Sequence, residues 1–433
     1  MDGRWREGLN ESQLAAVEHA AGPLLVVAGA GTGKTKTLAS RVARLIEEGQ
    51  EPDRILLLTF TRRAAREMVR RADSLGATGA SKVWGGTFHA IGHRLLREHG
   101  QAVGLPPRLS VLDQGDATEL LGVVRTDLGF AERGVRFPKK ETLLGIYSRI
   151  VNAQESLATV LEERFPWCDA NVEDIAAVFT AYTERRRTRG MLDYDDLLLY
   201  WRALVTGSAA AGQVAARFDH VLVDEYQDTN ILQTDIVAGL RPGGDGLFVV
   251  GDDAQAIYGF RAATCAAMTT FTSRFATARV VALEDNYRST QPILDTANEL
   301  MVKARGVHPK SLRAARSFDT APVRPMLGRA ADEAAQAIFV CERLLEHREL
   351  GVPLREQAVL FRAGHNSDRL EMELGRRRIP FVKYGGLKFL EGAHVKDLLA
   401  MLRVLENPSD ELAWHRTFGM ADGVGPATRR ALL

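Results

Sequence analysis

Cysteine is scarce. Cys168, Cys265 and Cys341 are the only three in 433 residues, they lie far apart, and no CxxC or Cys/His cluster exists. Neither a disulfide framework nor a zinc site is indicated, as suits a reducing cytosol. An excess of charge of one sign is also missing. Lys plus Arg total 56, Asp plus Glu total 55, and the net charge is +1. No global basic field exists to attract polyanions, so any nucleic-acid contact must come from local clefts. No uninterrupted apolar run is long enough to cross a bilayer, and the N-terminal MDGRWREGLN lacks the apolar core of a signal peptide. The expectation is a soluble, cytoplasmic protein without a membrane partner.

Against these absences stands ordinary globular material. Hydrophobic residues make up 45% and charged residues 26% of the chain, and the length suffices for two or three domains. Apolar runs at Leu24–Ala28, Ile55–Phe60, Val221–Val223, Leu247–Val250, Val280–Leu283 and Ala358–Phe361 read as buried strands. Between them lie helical patterns such as Lys36–Glu48 and Arg62–Asp73. Strands without polar alternation, spaced by helices, predict parallel α/β sheets covered on both faces. From about Gly92 to Leu192 helical patterns dominate, which reads as an insertion. A second helical region opens near Glu391. The charged run TERRRTRG (183–190) reads first as a solvated helix face and second as a DNA contact.

The stretch AGAGTGKT, Ala28 to Thr35, has the P-loop pattern, with Ala in its first position. Small residues (Ala28, Gly29, Ala30, Gly31, Thr32, Gly33) let backbone N–H groups wrap phosphate oxygens. The following helix aims its positive end at the same charge. Lys34 is placed on the β- and γ-phosphates and Thr35 on Mg²⁺. In VLVDEYQDTN (221–230) an apolar strand ends in Asp224-Glu225. Acidic groups at the carboxyl end of a parallel strand sit beside such a crevice. Asp224 would hold Mg²⁺ and Glu225 would polarise the attacking water. About 190 residues separate Thr35 from Asp224, which again argues for an insertion.

Other segments read two ways. In GDDAQAIYGFRAA (251–263) Gln255 can reach a γ-phosphate. Tyr258, Phe260 and Arg261 either stack on unpaired bases or form a buried aromatic pair beside an unrelated Arg. In LEDNYRST (283–290) Arg288 is a surface residue opening a helix, or an arginine finger. In LNESQ (9–13) Asn10 and Gln13 form a capping box, and Gln13 has an amide able to read adenine. Arg62, Arg63 and Arg66 follow a strand end, on a groove or on plain helix surface. Asp193, Asp195 and Asp196 of LDYDDLL open a helix, where capping explains them better than a metal does.

Taken together and in order, LNESQ, AGAGTGKT, TFTRRAAREM, GGTFHA, LDYDDLL, VDEYQDTN, GDDAQAIYGFRAA, LEDNYRS and IPFVKYGGLKF resemble the UvrD/Rep/PcrA group of superfamily-one DNA helicases. The resemblance implies a P-loop NTPase of α/β class. It implies two RecA-like parallel-sheet domains with helical insertions, the second domain incomplete here. The segments would be 1–92 and 192–278 for the first motor domain, 93–191 for its insertion, 279–386 for the start of the second motor domain, and 387–433 for the start of a second helical domain. It implies adenine contact by Gln13, adenine stacking by Tyr287, and γ-phosphate sensing by Gln255 and Arg288. DNA contacts would come from Phe60, Thr61, Arg62, Thr87, His89, Tyr258, Phe260 and Arg261. The activity implied is ATP- and Mg²⁺-dependent 3′→5′ translocation on single-stranded DNA, with unwinding at single/double-strand junctions in repair or recombination, alongside protein partners of those processes. The alternative is an ATP- and DNA-binding module that does not unwind without further chain. A recombination-nuclease motor ranks last, because no nuclease carboxylate cluster is visible. Lys36 and Arg62-Arg63 depart from the group's usual Arg and Asn-Lys.

Overall fold

The computed structural model describes residues 3–20, 22–130, 137–259, 266–304, 306–315, 323–384, 393–421, 424 and 428. Two compact units are present: Met1–Val323 with Asp397–Leu433, and Arg324–Lys396.

The first unit is built on six strands: β1 (Leu24–Ala28), β2 (Ile55–Thr59), β3 (Trp84–Thr87), β4 (His220–Val223), β5 (Leu247–Gly251) and β6 (Arg279–Leu283). Their order is β3-β2-β4-β5-β1-β6, and every pairing is parallel. In β1, Leu25 and Val27 join one apolar cluster while Leu24, Val26 and Ala28 join the other. In β2, Leu56 and Leu58 divide from Ile55 and Leu57 in the same way. This is the period of two expected of a strand buried on both faces. The fold is therefore α/β and RecA-like.

β6 was read from sequence as opening the second motor domain. It pairs residue by residue with β1, Val26 lying opposite Val281, and forms an edge of the first sheet. The free side of β1 needs hydrogen-bond partners, and the apolar RVVAL run supplies them. β3 was not anticipated, because the sequence WGGT carries two glycines and no apolar alternation.

Helices α1 (Glu11–Val17), α2 (Lys34–Glu47) and α3 (Arg62–Ser74) cover one face through Val17, Leu38, Val42 and Met68. The other face takes α4 (Phe88–His99), and the insertion follows as α5 (Gln114–Asp127), α6 (Lys140–Ala153), α7 (Leu157–Arg164) and α8 (Val172–Thr188). A two-residue ladder, Ser110–Val111 with Met191–Leu192, ties the two ends of that insertion together. The chain then returns through α9 (Tyr194–Thr206), α10 (Ala211–Ala216) and α11 (Ile231–Leu240).

TERRRTRG lies at the end of α8 and is less solvated than its composition suggests. Arg186 is 1% exposed. It pairs with Asp193 at 2.5 Å and with Asp196, and it donates to the Tyr147 hydroxyl at 2.6 Å. Asp193 also caps α9, in a capping box with Asp196. These carboxylates have a cap and an arginine as partners, in line with the capping reading.

In the second unit, helices Glu333–Glu349 and Asp368–Arg376 pack around Cys341, Leu374 and Ile379. The run Ala358–Phe361, read as a strand, forms none, and Leu360 is 95% exposed. A strand needs a paired neighbour, and among the described residues this unit has no ladder. Among the described residues no helix is long and apolar enough to cross a membrane.

Candidate functional site

The end of β1 runs into the phosphate-loop sequence, and α2 begins at Lys34. Gly31 and Gly33 hold φ of 78° and 86°, a region that costs other residues dearly. A Cβ on Gly31 would lie 2.6 Å from Cβ of Arg288, and one on Gly33 would lie 2.6 Å from Nε2 of Gln13. The loop is thus hemmed in by two residues singled out from the sequence. Gly29 has Leu312 as its neighbour. Thr32 is buried and donates to the Gly29 carbonyl at 2.7 Å.

Gln13 forms the capping box read from the sequence. Its backbone and side chain complete the capping box with Asn10, and Nε2 donates to the Thr32 carbonyl at 2.8 Å. It therefore braces the loop from α1. Lys36 donates to the Gly8 carbonyl at 2.6 Å, which ties α2 to the segment ahead of α1.

Segment 284–288 closes the other side. Asn286 Nδ2 donates to the Ala30 carbonyl at 2.5 Å, and Tyr287 N donates to the Gly31 carbonyl at 2.9 Å. The Tyr287 hydroxyl accepts from Asn10 Nδ2 at 3.0 Å. Arg288 follows, its N–H donated to Asn286 Oδ1 at 2.8 Å. Tyr287 and Arg288 are thereby brought beside the loop, and Asn286, which sequence reading passed over, holds them there.

At the carboxyl end of β4, Asp224 and Glu225 face the loop. Lys34 Nζ lies 2.7 Å from Glu225 Oε2. Glu225 has φ of 50°, a left-handed conformation for a non-glycine residue. Asp224 is 7% exposed, and its Oδ1 has no hydrogen-bond partner. Burial, reinforced by the Glu225 charge, pushes its carboxyl up to about 7. A buried carboxylate oxygen without a donor is costly, and a cation would satisfy it. The unsatisfied Asp224 oxygen therefore fits a hard cation such as Mg²⁺, and Thr35 lies in the first turn of α2.

A buried polar chain continues from Glu225. Gln227 Nε2 donates to Glu225 Oε2 at 2.8 Å, and Gln227 Oε1 accepts the Asp252 N–H at 2.8 Å. The Asp252 carboxylate takes Gln255 Nε2 and Lys310 Nζ. Lys310 reaches Asp253 as well at 2.9 Å, and His308 Nδ1 lies 2.7 Å from that carboxylate. These donors hold Asp253 well below the usual carboxylate range, against the cost of its burial. Gln227 was visible in VLVDEYQDTN but had no assigned role. Lys310 stands far along the chain without a local motif.

The nucleic-acid candidates sit at the ends of β2 and β3. Phe60 packs against Tyr258 with ring centroids 4.8 Å apart and the planes tilted by 34°. Thr61 caps α3 by accepting from Ala64 N at 3.1 Å, and Arg62 is the first residue of that helix. Thr87 caps α4, accepting from Ala90 N at 3.3 Å. His89, edge-on to Tyr194 at 5.7 Å, is pushed down to about 4 by burial and is neutral at physiological pH. Phe260 and Arg261 lie outside the described residues.

Residues 9–276 match the UvrD/REP helicase N-terminal domain, and residues 281–432 match the UvrD-like helicase C-terminal domain. The chain is 36% identical over 427 residues to the ATP-dependent DNA helicase UvrD1 of Mycobacterium tuberculosis, covering 95% of this chain and 54% of that protein. It is 32% identical over 423 residues to the ATP-dependent DNA helicase PcrA of Staphylococcus aureus, covering 97% of this chain and 57% of that protein. The chain spans about half the length of the curated relatives it matches. The loop, the acidic pair and these matches lead to one conclusion: the chain belongs to the UvrD/REP helicase family.

Proposed function

We propose that this chain carries the ATP-hydrolysing motor of a 3′→5′ DNA helicase that works on single strands and single/double-strand junctions in repair or recombination. The observation that carries the reading is the meeting of Lys34 with Glu225, beside the unsatisfied Asp224 carboxylate. One cation, one base and one metal ligand converge where the loop would hold phosphates.

In this reading Lys34 exchanges its Glu225 partner for the β- and γ-phosphates of ATP. Glu225, freed of that cation, orients the attacking water and takes its proton at a carboxylate oxygen. Mg²⁺, held by Thr35 and Asp224, would supply neutralisation of phosphate charge. Gln255 and Arg288 respond to the γ-phosphate. Tyr287 stacks on adenine and Gln13 reads its edge. The Phe60–Tyr258 pair offers aromatic faces to bases of any identity, which suits a motor that must step over every sequence. Thr61, Arg62, Thr87 and His89 contact the same strand, with Phe60 and Tyr258 and, by the resemblance, Phe260 and Arg261.

A second reading is favoured by one observation in the second unit, where the apolar 358–361 run has no strand pairing among the described residues. In that reading the chain binds ATP and DNA without unwinding. Duplexes with a 3′ or a 5′ single-stranded tail separate the two readings. ATP-dependent strand separation on the 3′-tailed duplex supports the helicase reading. Separation on the 5′-tailed duplex alone would contradict the polarity, and ATP turnover without separation of either would favour the module.

A further inference from the structure

Between α3 and β3 lies a groove of about 870 Å³, bordered by Arg62, Arg63, Arg66 and Arg70. All four arginines are exposed. Among the described residues their guanidinium groups have no ion-pair or hydrogen-bond partner, while Glu67 on the same helix is committed to Arg71 at 2.5 Å.

This arrangement works against the helix that carries it. Arg62, Arg66 and Arg70 follow one another at intervals of four, so like charges repel one turn apart. Arg62 and Arg63 also open α3, where the helix dipole favours anions. Internal stability gives no reason for four cations there. An anion supplied from outside removes both penalties.

The shape narrows that anion to a polymer. The charges are spread along two turns of helix, not gathered around one point. The floor is apolar, with Ala65 and Val83 buried beneath the arginines. Gly85, on the edge strand β3, keeps the floor open, since a Cβ there would press on Val69 at 3.3 Å. The groove also has a defined start. α3 begins directly after Phe60 and Thr61, and Phe60 packs against Tyr258 at a tilt.

We propose that this groove is a second stretch of the nucleic-acid path, which grips the sugar–phosphate backbone of a single strand beyond the Phe60–Tyr258 pair. The proposal rests on the DNA reading above and extends it to Arg66 and Arg70. Its occupant is the strand itself, because the groove continues from a pair of aromatic faces suited to bases.

The test is fluorescence anisotropy with oligo-dT of about 4 and about 16 nucleotides, across a range of salt. The proteins are this chain and its Arg66→Gln/Arg70→Gln variant. Each phosphate contact on a single strand adds about 0.7 to the slope of log affinity against log salt. The expected result is a slope on the long oligonucleotide that falls by about 1.4 in the variant, with short-oligonucleotide affinity and thermal midpoint not reduced. Arg66→Lys/Arg70→Lys should keep the wild-type slope. If the double Gln variant unfolds, Arg70→Gln alone should lower the slope by about 0.7. An unchanged long-oligonucleotide slope overturns the groove and leaves the DNA reading standing. Equal losses on both lengths overturn it too, as does competition by poly-glutamate as strong as by the long oligonucleotide. Absence of wild-type binding to either length overturns both readings.

Discussion

Lys34 Nζ and Gln227 Nε2 bind the same oxygen of Glu225, at 2.7 and 2.8 Å. Glu225 is therefore held from two directions, by the phosphate loop and by a glutamine that also receives the Asp252 N–H. If Lys34 transfers to phosphate, Gln227 remains to aim the carboxylate. Gln227→Met keeps the volume and removes both hydrogen bonds. We expect kcat for ATP to fall by up to about a hundred-fold, because small misplacements of a catalytic group cost that much. KM should stay within a few-fold, and steady-state kinetics over an ATP series read the two apart.

The phosphate loop depends on glycine where its φ is positive. Gly33→Ala should cost about 1–2 kcal/mol for the left-handed backbone and push Gln13 off the Thr32 carbonyl, since the new Cβ would lie 2.6 Å from Nε2. Gly49→Ala is the control, with φ of 94° and nothing within 4 Å. Both should lower the thermal midpoint, and only Gly33→Ala should weaken binding of a fluorescent ATP analogue.

The insertion is anchored to α9 by a buried charge. Arg186→Met leaves Asp193 and Asp196 without their cation in a region that excludes water. Breaking a buried pair from one side costs about 3–5 kcal/mol, and urea unfolding should show a loss of that size. Arg187→Met, which removes an exposed pair with Glu184, should leave the unfolding midpoint essentially unchanged, because solvent screens such a pair.

Much of this site is legible in the sequence because its chemistry lies on short loops directly after buried strands. Lys34 follows LLVVA and Asp224-Glu225 follow HVLV, and runs of that kind have few other folds open to them. The edge strand β3 was hidden because WGGT gives neither an apolar run nor an alternation. The pairing of β6 with β1 could not be read locally, because the two strands lie more than 250 residues apart. Lys310 and Asn286 act through tertiary contacts with Asp252 and Ala30; nothing local marks Lys310, and Asn286 sits in LEDNYRST beside the residues that drew the reading. The 358–361 run shows the limit of the apolar-run rule, since apolarity proposes a strand and only a neighbour makes one.

His89 supplies a pH signature. Burial lowers its imidazole from 6.5 to about 4, so between those values the unfolded chain binds the proton and the folded chain does not. Stability from this residue is complete above about pH 6.5 and is lost as pH falls toward 4. At pH 5 the loss amounts to at most about 2 kcal/mol. Urea unfolding at pH 7 and pH 5 should show a smaller acid-induced drop in His89→Gln than in the wild type. An identical drop would mean that the imidazole is not buried as a neutral group.

The central claim, an ATP motor driven on a DNA strand, is tested most directly by phosphate release from ATP with and without single-stranded DNA, using the wild type and Glu225→Gln. We expect DNA to stimulate wild-type turnover strongly, and Glu225→Gln to bind nucleotide while losing turnover under both conditions. Equal wild-type rates with and without DNA, or undiminished turnover in Glu225→Gln, would contradict the account.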